Sequence, residues 1–470
     1  MKVVSSLLFA SAILSINALV EPPVHARGGH LWKNYLLREQ ESDNKYGILR
    51  NSTPNIFNQL INHSNPSQGT FEQYYYIDYT NYDSTNATTP FMLYIGGEGP
   101  MGGTPGGYLY VLNQQFKGLI LSLEHRFYGK SMPAPLTDRN LLSTLSVESE
   151  MADLAAFIQY INKQLNPANT HPWITVGGSY AGALSAWFRE THPELTSMSW
   201  SSSGVVNALF DYSGFDQQLV EVIPVSCADQ IRSAMQAASD AWDDPSKKPA
   251  LLQAFGTPDY FLKADFAWMI ADSVAMGDQY GAKELLCTYM TNPNDTPLNN
   301  LANWTNFHYG PSFGSSCYYS TVCLSQQQYS SQWAASGYAW VYQCCSELAY
   351  WQINWGPQSL RLPELTTDYF VSQCQTAFGA DTFPNTTAFN NKFNGINNNA
   401  TNVIALQGSD DPWNRAGIQY SRSTYPEFNA TCDGCGHCGD LGTNANGNPA
   451  ITVQHNAIAT YLTYWLNNLN

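Results

Sequence analysis

The chain has 470 residues, of which 44% are hydrophobic and only 12% are charged, and its formal net charge is −16. This length allows one large or two ordinary domains, with enough apolar residues for a sizeable core. Contacts with nucleic-acid phosphates need clustered Lys and Arg, so the acidic balance predicts no nucleic-acid partner. The acidity fits either solubility or stability in an acidic compartment.

The N-terminal segment predicts export. Residues 1–18 place one Lys before a short apolar run that ends at small residues, as in a secretory signal peptide. No later run approaches the ~18 apolar residues of a membrane span. N-x-S/T sequons agree with export, and we predict glycosylation at Asn51, Asn62, Asn86, Asn294, Asn303, Asn385 and Asn399.

The cysteines also agree with export. All 10 lie beyond residue 226, and an even number in an exported chain predicts disulfides, although the sequence leaves their pairing open. The stretch "CDGCGHC" (432–438) has a spacing that could bind zinc. We expect disulfides there and no metal.

Strands and helices alternate between residues 71 and 204. The strand-like runs are "EQYYYIDY" (72–79), "PFMLYIGG" (90–97), "KGLILSLE" (117–124), "WITV" (173–176) and "TSMSWSSSG" (196–204). Between them, 148–165 has helical spacing of apolar residues and 181–190 is rich in alanine. This alternation predicts a mostly parallel sheet flanked by helices.

Helical periodicity dominates the next part of the chain, where strand-like runs vanish. We predict a core segment at 19–204, a helical, disulfide-containing cap inserted at 205–398, and a second core segment at 399–470. "NNKFNGINNNATN" (390–402) is predicted to be a surface loop. "VIALQG" (403–408) is again a buried strand, and residues 457–469 predict a terminal helix.

The stretch "GGSYAGA" (177–183) joins a strand to a helix through small residues. This arrangement is typical of a nucleophile elbow, which exposes a serine Oγ at the top of a sheet, here that of Ser179. The last glycine of the G-x-S-x-G pattern is replaced by Ala181, and Gly182 follows one place later.

A serine nucleophile needs a base and an acid that orients the base. Two candidate acids, Asp410 and Asp411, follow the strand at 403–408, and His437 lies in a glycine-rich loop before the last helix. The chain order Ser, Asp, His fits this kind of fold. His125 also follows a strand, but it precedes the serine, so we expect a structural role for it.

The oxyanion of an acyl-transfer intermediate needs backbone N–H donors. We expect one from Tyr180 and one from Gly97, within the loop "IGGEGPMGG" (95–103). This loop lacks the G-K-[ST] ending and the G-x-G-x-x-G spacing of phosphate-binding loops. We therefore predict no nucleotide and no other cofactor.

Several long runs resemble one family of exported serine peptidases. It includes lysosomal prolyl carboxypeptidase, dipeptidyl peptidase II, thymus-specific serine protease and fungal acid prolyl endopeptidases. The matching runs span nearly all of the mature chain in the right order: "LYIGGEGP" (93–100), "LSLEHRFYGKS" (121–131), "GGSYAGALSAWFR" (177–189), "WVYQCCSELAYWQ" (340–352), "GSDDPW" (408–413) and "GHCGDL" (436–441).

The resemblance implies an α/β-hydrolase core with a helical cap and the triad Ser179, Asp411 and His437. It favours Asp411 over Asp410 because the family's acid directly precedes Pro-Trp. It also implies an exopeptidase, either a carboxypeptidase or a dipeptidyl peptidase, that cleaves peptides at proline. The implied location is secreted, lysosomal or vacuolar, and a homodimer is possible.

The expected substrate contacts surround the triad. Trp413 would stack on the proline ring, Glu98 would come from the glycine loop, and the cap would supply Glu347, Tyr350 and Gln352. Ala183 departs from the methionine that carboxypeptidase and dipeptidase members often have there, which predicts a wider pocket. Two alternatives stay open: an esterase or lipase on the same core, and a catalytically silent binding protein.

Overall fold

The structure is a computed structural model that describes residues 51–310, 312–327, 329, 331–444 and 446–469. The signal peptide predicted at 1–18 lies outside these residues. Within the described part of the chain, no helix has both the length and the apolar character needed to cross a membrane.

The described residues form one eight-stranded sheet with the order β1-β2-β4-β3-β5-β6-β7-β8. The first two strands pair antiparallel with their neighbours, and all the pairs from β4 to β8 are parallel. The strands are β1 (Asn55–Leu60), β2 (Thr70–Asp78), β3 (Phe91–Ile95), β4 (Leu119–Leu123), β5 (Trp173–Gly178), β6 (Met198–Ser202), β7 (Val403–Gly408) and β8 (Glu427–Ala430). The predicted α/β-hydrolase core with a mostly parallel sheet is confirmed.

The central strands are buried on both faces, which explains why their sequences are continuous apolar runs. Every residue of β3, β4 and β5 is buried. Successive side chains point to opposite faces of a strand. Leu93 of β3 accordingly packs in the same cluster as Leu154, whereas its neighbour Met92 packs with Leu462.

Helices cover the two faces of the sheet. The predicted helix at 148–165 begins where Ser146 caps it, because the Ser146 Oγ accepts a hydrogen bond from the Ser149 N–H at 3.2 Å. The core helices are α1 (Gly107–Phe116), α2 (Arg139–Leu142), α3 (Val147–Leu165), α4 (Tyr180–Thr191) and, at the end of the chain, α15 (Pro449–Asn467).

Helical elements fill the chain between β6 and β7. They are α5 (Ser213–Val222), α6 (Val225–Asp243), α7 (Lys248–Phe255), α8 (Lys263–Gln279), α9 (Lys283–Met290), α10 (Pro297–Tyr309), α11 (Thr321–Gln326), α12 (Gln332–Gln343), a π-helical turn (Cys344–Leu348), α13 (Thr367–Phe378) and α14 (Thr386–Phe393). Short 3-10 turns lie at Phe313–Ser315, Cys317–Tyr319 and Gly395–Asn397. The cap boundaries at 205 and 398 stay a prediction.

Disulfides form, as predicted. The pairs are Cys227–Cys287, Cys317–Cys323, Cys345–Cys374 and Cys432–Cys435, and Cys344 and Cys438 are free. A disulfide between Cys432 and Cys435 removes two thiolates that a zinc ion at 432–438 would need.

One local prediction was wrong. Helix α14 extends to Phe393, inside the predicted surface loop at 390–402, because the Phe389 and Phe393 rings pack against Trp187 at 5.2 and 5.4 Å. In the terminal helix, His455 is only 7% exposed and its ring stacks on Tyr108 at 3.6 Å.

The predicted glycosylation sites differ in accessibility. Asn86, Asn294, Asn303, Asn385 and Asn399 are exposed, whereas Asn51 and Asn62 are half-buried. The Asn51 amide also donates a hydrogen bond to the Ile77 carbonyl at 2.6 Å. That side chain is therefore the least suited of the seven to carry a glycan.

Candidate active site

Ser179 lies at the turn between β5 and α4. Its backbone has φ 58° and ψ −126°, a conformation that non-glycine residues rarely adopt. The Ser179 N–H donates to the Ser202 carbonyl at 2.9 Å, and the Ser179 carbonyl accepts from the Ala183 N–H at 3.0 Å. These bonds hold the strained turn that the predicted elbow requires.

The glycine pattern of the elbow has a steric explanation. A Cβ on Gly177 would lie 2.2 Å from the Ala181 carbonyl oxygen, and a Cβ on Gly182 would lie 2.6 Å from that of Ser202. The close approach of helix to strand therefore falls at position 182, so Ala181 is tolerated where the usual pattern has glycine.

Asp411 and His437 meet at the carboxyl edge of the sheet. Asp411 follows β7, is fully buried, and lies with one carboxylate oxygen 2.7 Å from His437 Nδ1. Its other oxygen accepts from the Trp413 N–H at 2.9 Å. The backbone N–H of His437 donates to the backbone carbonyl of Gln279 at 2.7 Å. This bond ties the histidine loop to the end of cap helix α8.

Asp410 has different partners. Its carboxylate lies 2.9 Å from Lys283 Nζ and accepts from the Gly434 N–H at 2.7 Å. Lys283 also lies 3.0 Å from Asp433. The structure therefore brings Asp411, and not Asp410, to the histidine.

His437 is buried, and its Nε2 has no hydrogen-bond partner among the described residues. Burial by itself would lower the pKa of His437, but the Asp411 carboxylate and the Cys438 sulfur raise that pKa well above its usual range. Ser179 and His437 line the same cavity. Catalytic hydrogen bonds are often long in a free enzyme and shorten when substrate binds.

The glycine loop after β3 lies opposite Ser179. Gly97 packs closely on α4, since a Cβ there would contact the Ala181 Cβ at 3.5 Å. Tyr180 is the first residue of α4, and the first N–H groups of a helix have no partner within it. Gly97 and Ser179 line the same cavity, and Tyr180 directly follows Ser179, so the two expected oxyanion donors lie near the nucleophile.

Glu98 is the acidic residue of this loop, and its pKa is raised. Its side chain is 3% exposed, its Oε1 has no hydrogen-bond partner in the described part of the chain, and burial raises its pKa to about 8. Below that pH the carboxyl group is neutral and carries an O–H that can donate a hydrogen bond.

Among the described residues, two cavities include Ser179 in their walls. The first, which we call the core-side cavity, has about 700 Å³ and also contains His437. The second, the cap-side cavity, has about 510 Å³ and contains Trp413. Glu98 and Tyr280 belong to both. The core-side cavity is lined mainly by the loop 94–103, and the cap-side cavity is also lined by Val205, Phe215, Asp272, Ala275, Met276, Gln279, Tyr318, Trp340 and Gln352.

Besides Glu98, three of the predicted substrate contacts lie at or beside the cap-side cavity. Trp413 and Gln352 line it, and the Trp413 indole N–H donates to the Gln279 side chain at 3.0 Å. Tyr350 lines an adjoining aromatic cavity of about 420 Å³ that shares Trp413 with the cap-side cavity. Its ring meets that of Trp413 edge-on at 5.7 Å, and its hydroxyl donates to the Val205 carbonyl.

The structure does not bring Glu347 or Ala183 to either cavity. The Glu347 carboxylate accepts from the Val147 N–H at 2.9 Å, at the start of α3, and burial raises its pKa to about 7. Ala183 is a fully buried residue of α4 itself. Its small side chain fits the approach of the helix to the sheet, so it does not widen the substrate pocket as predicted.

His125 lies in a buried network under α4. Its Nε2 lies 3.2 Å from the Tyr180 hydroxyl, which accepts from the Gln343 amide at 2.8 Å. Gln343 also accepts from the Tyr128 hydroxyl. Burial lowers the pKa of His125 to about 4. It contacts neither cavity, in line with the structural role expected for it.

Sequence reasoning missed several residues of the site. Asp272, Met276, Gln279 and Tyr280 lie on or just after one cap helix, and no motif marks them. Their spacing at 272, 276 and 279 is that of one helical face, but the same spacing is typical of any packed helix. Trp340 lies within a run quoted above, and its position in the cap-side cavity is visible only in the fold.

Comparison with known proteins identifies the family. The model of the serine carboxypeptidase S28 family matches residues 59–458, so the chain belongs to this family of serine peptidases. The predicted resemblance is confirmed.

Individual relatives match over most of the chain. Probable serine protease EDA2 of Arabidopsis thaliana is 33% identical, covering 82% of this chain and 80% of its own length. Thymus-specific serine protease of Mus musculus is 27% identical, with coverages of 85% and 84%. Lysosomal Pro-X carboxypeptidase of Pongo abelii is 26% identical, with coverages of 66% and 67%.

Proposed function

We propose that this serine peptidase hydrolyses peptides at proline through an acyl-enzyme, with Ser179 as nucleophile, His437 as general base and then acid, and Asp411 as its orienting partner. The observation that carries the proposal is the 2.7 Å contact of Asp411 with His437 Nδ1. That contact leaves Nε2 free in the cavity that Ser179 also lines.

The proposed reaction follows from these positions. Ser179 Oγ attacks the scissile carbonyl carbon as its proton passes to His437 Nε2, while Asp411 accepts the hydrogen bond from Nδ1–H. The oxyanion is bound by the N–H groups of Tyr180 and Gly97, and the neutral Glu98 carboxyl adds an O–H donor. Collapse expels the amine, which takes the proton from His437.

A second half-reaction frees the enzyme. A water molecule gives its proton to His437 as its oxygen attacks the acyl carbon. The second tetrahedral intermediate then expels Ser179 Oγ, which regains its proton from His437 as the peptide acid is released. No step of this sequence draws on a cofactor.

The proline preference is supported by the walls of the cap-side cavity. Trp413, Trp340, Tyr318, Phe215 and Val205 offer flat or branched apolar faces, and a proline ring is rigid and apolar. The relative named Pro-X carboxypeptidase carries proline in its name. Export to the cell exterior or to a lysosomal or vacuolar compartment is part of the same proposal, supported by the disulfides.

The decisive test uses Ser179→Ala and a fluorophosphonate probe. We expect the wild-type protein to be labelled on Ser179 and to cleave proline-containing peptides, read by mass spectrometry. The folded Ser179→Ala protein should do neither. Peptide cleavage by that variant would refute the assignment. Labelling together with hydrolysis of simple esters, but of no peptide, would instead favour an esterase.

A further inference from the structure

The Tyr180 side chain is held from two sides by buried groups. Its hydroxyl accepts a hydrogen bond from the Gln343 amide at 2.8 Å and lies 3.2 Å from His125 Nε2. All three side chains are fully buried. Gln343 is the last residue of cap helix α12, whereas His125 lies two residues after core strand β4. The cap and the core therefore meet at the hydroxyl of the residue that follows the nucleophile.

The direction of each hydrogen bond at this hydroxyl follows from its neighbours. The Arg126 carbonyl lies 2.7 Å from His125 Nδ1 and can only accept, so Nδ1 carries the proton of the neutral ring. Burial lowers the pKa of His125 to about 4, so the ring is neutral above that pH and its Nε2 is an acceptor. Glu150 lies 3.6 Å from the same nitrogen, beyond the distance of a hydrogen bond. The Tyr180 O–H therefore donates to Nε2 while its oxygen accepts from Gln343.

The cap side of this arrangement is fixed as well. The Gln343 side-chain carbonyl accepts from the Tyr128 hydroxyl, so the amide N–H₂ is the end that faces Tyr180. Gln343 thus joins two tyrosines of the core, and each of its two polar atoms has a partner. Such a filled network inside a protein holds its members in one arrangement.

The backbone before Tyr180 needs this kind of support. Ser179 has φ 58° and ψ −126°, and such a conformation persists only where the surrounding structure over-determines it. The Tyr180 N–H belongs to the first turn of α4, where N–H groups have no partner within the helix. A Tyr180 side chain fixed at its hydroxyl restricts rotation of the peptide between the two residues, and with it the direction of this N–H.

We propose that Gln343 and His125 are positioning residues that hold the backbone N–H of Tyr180 in place for the oxyanion. The inference rests on the proposed function and deepens it, since it gives the cap a part in transition-state stabilisation as well as in enclosing substrate. Neither side chain lines the core-side or the cap-side cavity. Both therefore act through the Tyr180 hydroxyl and not by contact with substrate.

The first experiment is Tyr180→Phe, which removes the hydroxyl and keeps the ring and the N–H. Loss of a whole oxyanion donor costs about 10²–10³-fold in kcat, so a donor that is kept but less well directed should cost about tenfold, with KM unchanged. A peptide aldehyde that ends in prolinal adds Ser179 Oγ to its carbonyl carbon and places an oxyanion at the same donors. Its inhibition constant should rise by the same factor as kcat falls.

A matched control removes another buried tyrosine hydroxyl. The Tyr309 hydroxyl donates to the Ser273 carbonyl at 2.9 Å within the cap, and Tyr309 lines neither cavity at Ser179. Tyr309→Phe should keep the wild-type kcat and aldehyde affinity. If Tyr180→Phe also keeps both, the proposal is overturned.

A double-mutant cycle tests the route through the hydroxyl. Gln343→Met keeps the length of the side chain but not the amide, and it should lower kcat about tenfold by itself. Added to Tyr180→Phe it should lower kcat no further, because the hydroxyl on which it acts is gone. Equal losses in both backgrounds would refute the role of Gln343, and the same cycle with His125→Leu tests the core side. Where one of these variants does not fold, Tyr180→Phe decides, since it removes a single oxygen atom.

Failure of the inference is distinguishable from failure of the proposed function. Attack of Ser179 on a fluorophosphonate also builds negative charge on an oxygen at the same donors. If the wild type is labelled but cleaves no prolyl peptide, the assignment at proline is wrong, and the labelling rate of Tyr180→Phe then tests the inference. A rate about tenfold slower would support the positioning role, and an equal rate would refute it. A wild-type Ser179 that the probe does not label would overturn both proposals.

Discussion

The core and the cap build one site by different means. In the core, Ser179 directly follows β5, Asp411 lies three residues after β7, and His437 lies in the loop after β8. Sheet hydrogen bonds therefore fix their relative positions. The cap, whose described elements from 213 to 397 are helical, instead contains three of the disulfides. Sheet register thus sets the positions of the catalytic residues, whereas the shape of the substrate cavity depends on cap helices that disulfides link.

The largest effect should come from the core. Asp411→Asn should lower kcat about 10⁴-fold, because the wrong histidine tautomer is then favoured. Asp410→Asn, which loses only the Lys283 pair, should cost less than about tenfold. Kinetics with the same prolyl substrate measure both. The reverse order would show that Asp410 orients the histidine, and the assignment drawn from the 2.7 Å contact would fail.

In the cap, the largest loss of stability is expected from removal of the Cys227–Cys287 disulfide. Replacing both Cys227 and Cys287 by Ser opens a link between residues 60 apart, which should lower the free energy of unfolding by about 4 kcal/mol. The matched change at Cys432 and Cys435, only three residues apart, should cost about 2 kcal/mol. Denaturant unfolding measures both. Similar losses of unfolding free energy in the two variants would mean that the length of the closed loop does not set the contribution of a disulfide here.

Glu98 belongs to a loop of the core and lines both the core-side and the cap-side cavity. Substitutions of Glu98 therefore probe the boundary between core and cap. With a pKa of about 8, the carboxyl is protonated below that pH and ionised above it. Activity should therefore fall as pH rises through about 8. Glu98→Gln should remove this alkaline fall because an amide N–H stays a donor, and Glu98→Ala should cost about 10²-fold in kcat. If the activity of Glu98→Gln still falls above about pH 8, another group causes that loss of activity.

The smallest effects are expected from replacing one alanine by methionine in each region, Ala183 in the core and Ala275 in the cap. Ala183→Met overfills the buried core and should lower the free energy of unfolding by about 1–3 kcal/mol, without changing substrate preference. Ala275→Met projects into the cap-side cavity and should change preference at proline with little loss of stability. Melting temperatures and kcat/KM for prolyl and alanyl substrates separate the two. A change of preference in Ala183→Met would restore the predicted role of Ala183.

The strands of the core could be predicted closely because burial on both faces leaves a continuous apolar run. Residues 403–408 form β7 within the predicted bounds. Strands β1 and β8 were not predicted, since edge strands are partly exposed and their sequences, "NIFNQL" and "EFNA", lack that run. The last turn of α14, residues 390–393, was predicted as loop because tertiary contacts with Trp187 override the weak helix propensity of asparagine.

The sequence by itself determined the chemistry of this protein: a serine in a strained turn, an acid and a histidine in the order of the strands, and a family resemblance over most of the chain. Local rules suffice for these features because sheet topology brings strand ends together. The tertiary structure showed the separate partners of the two acids, with Asp411 at His437 as the resemblance implied and Asp410 at Lys283, and it placed Glu347 away from the cavities. It also placed Asp272 and Glu98 around Ser179. The physical reason is that a helix face looks alike in sequence whether it packs on a core or lines a cavity.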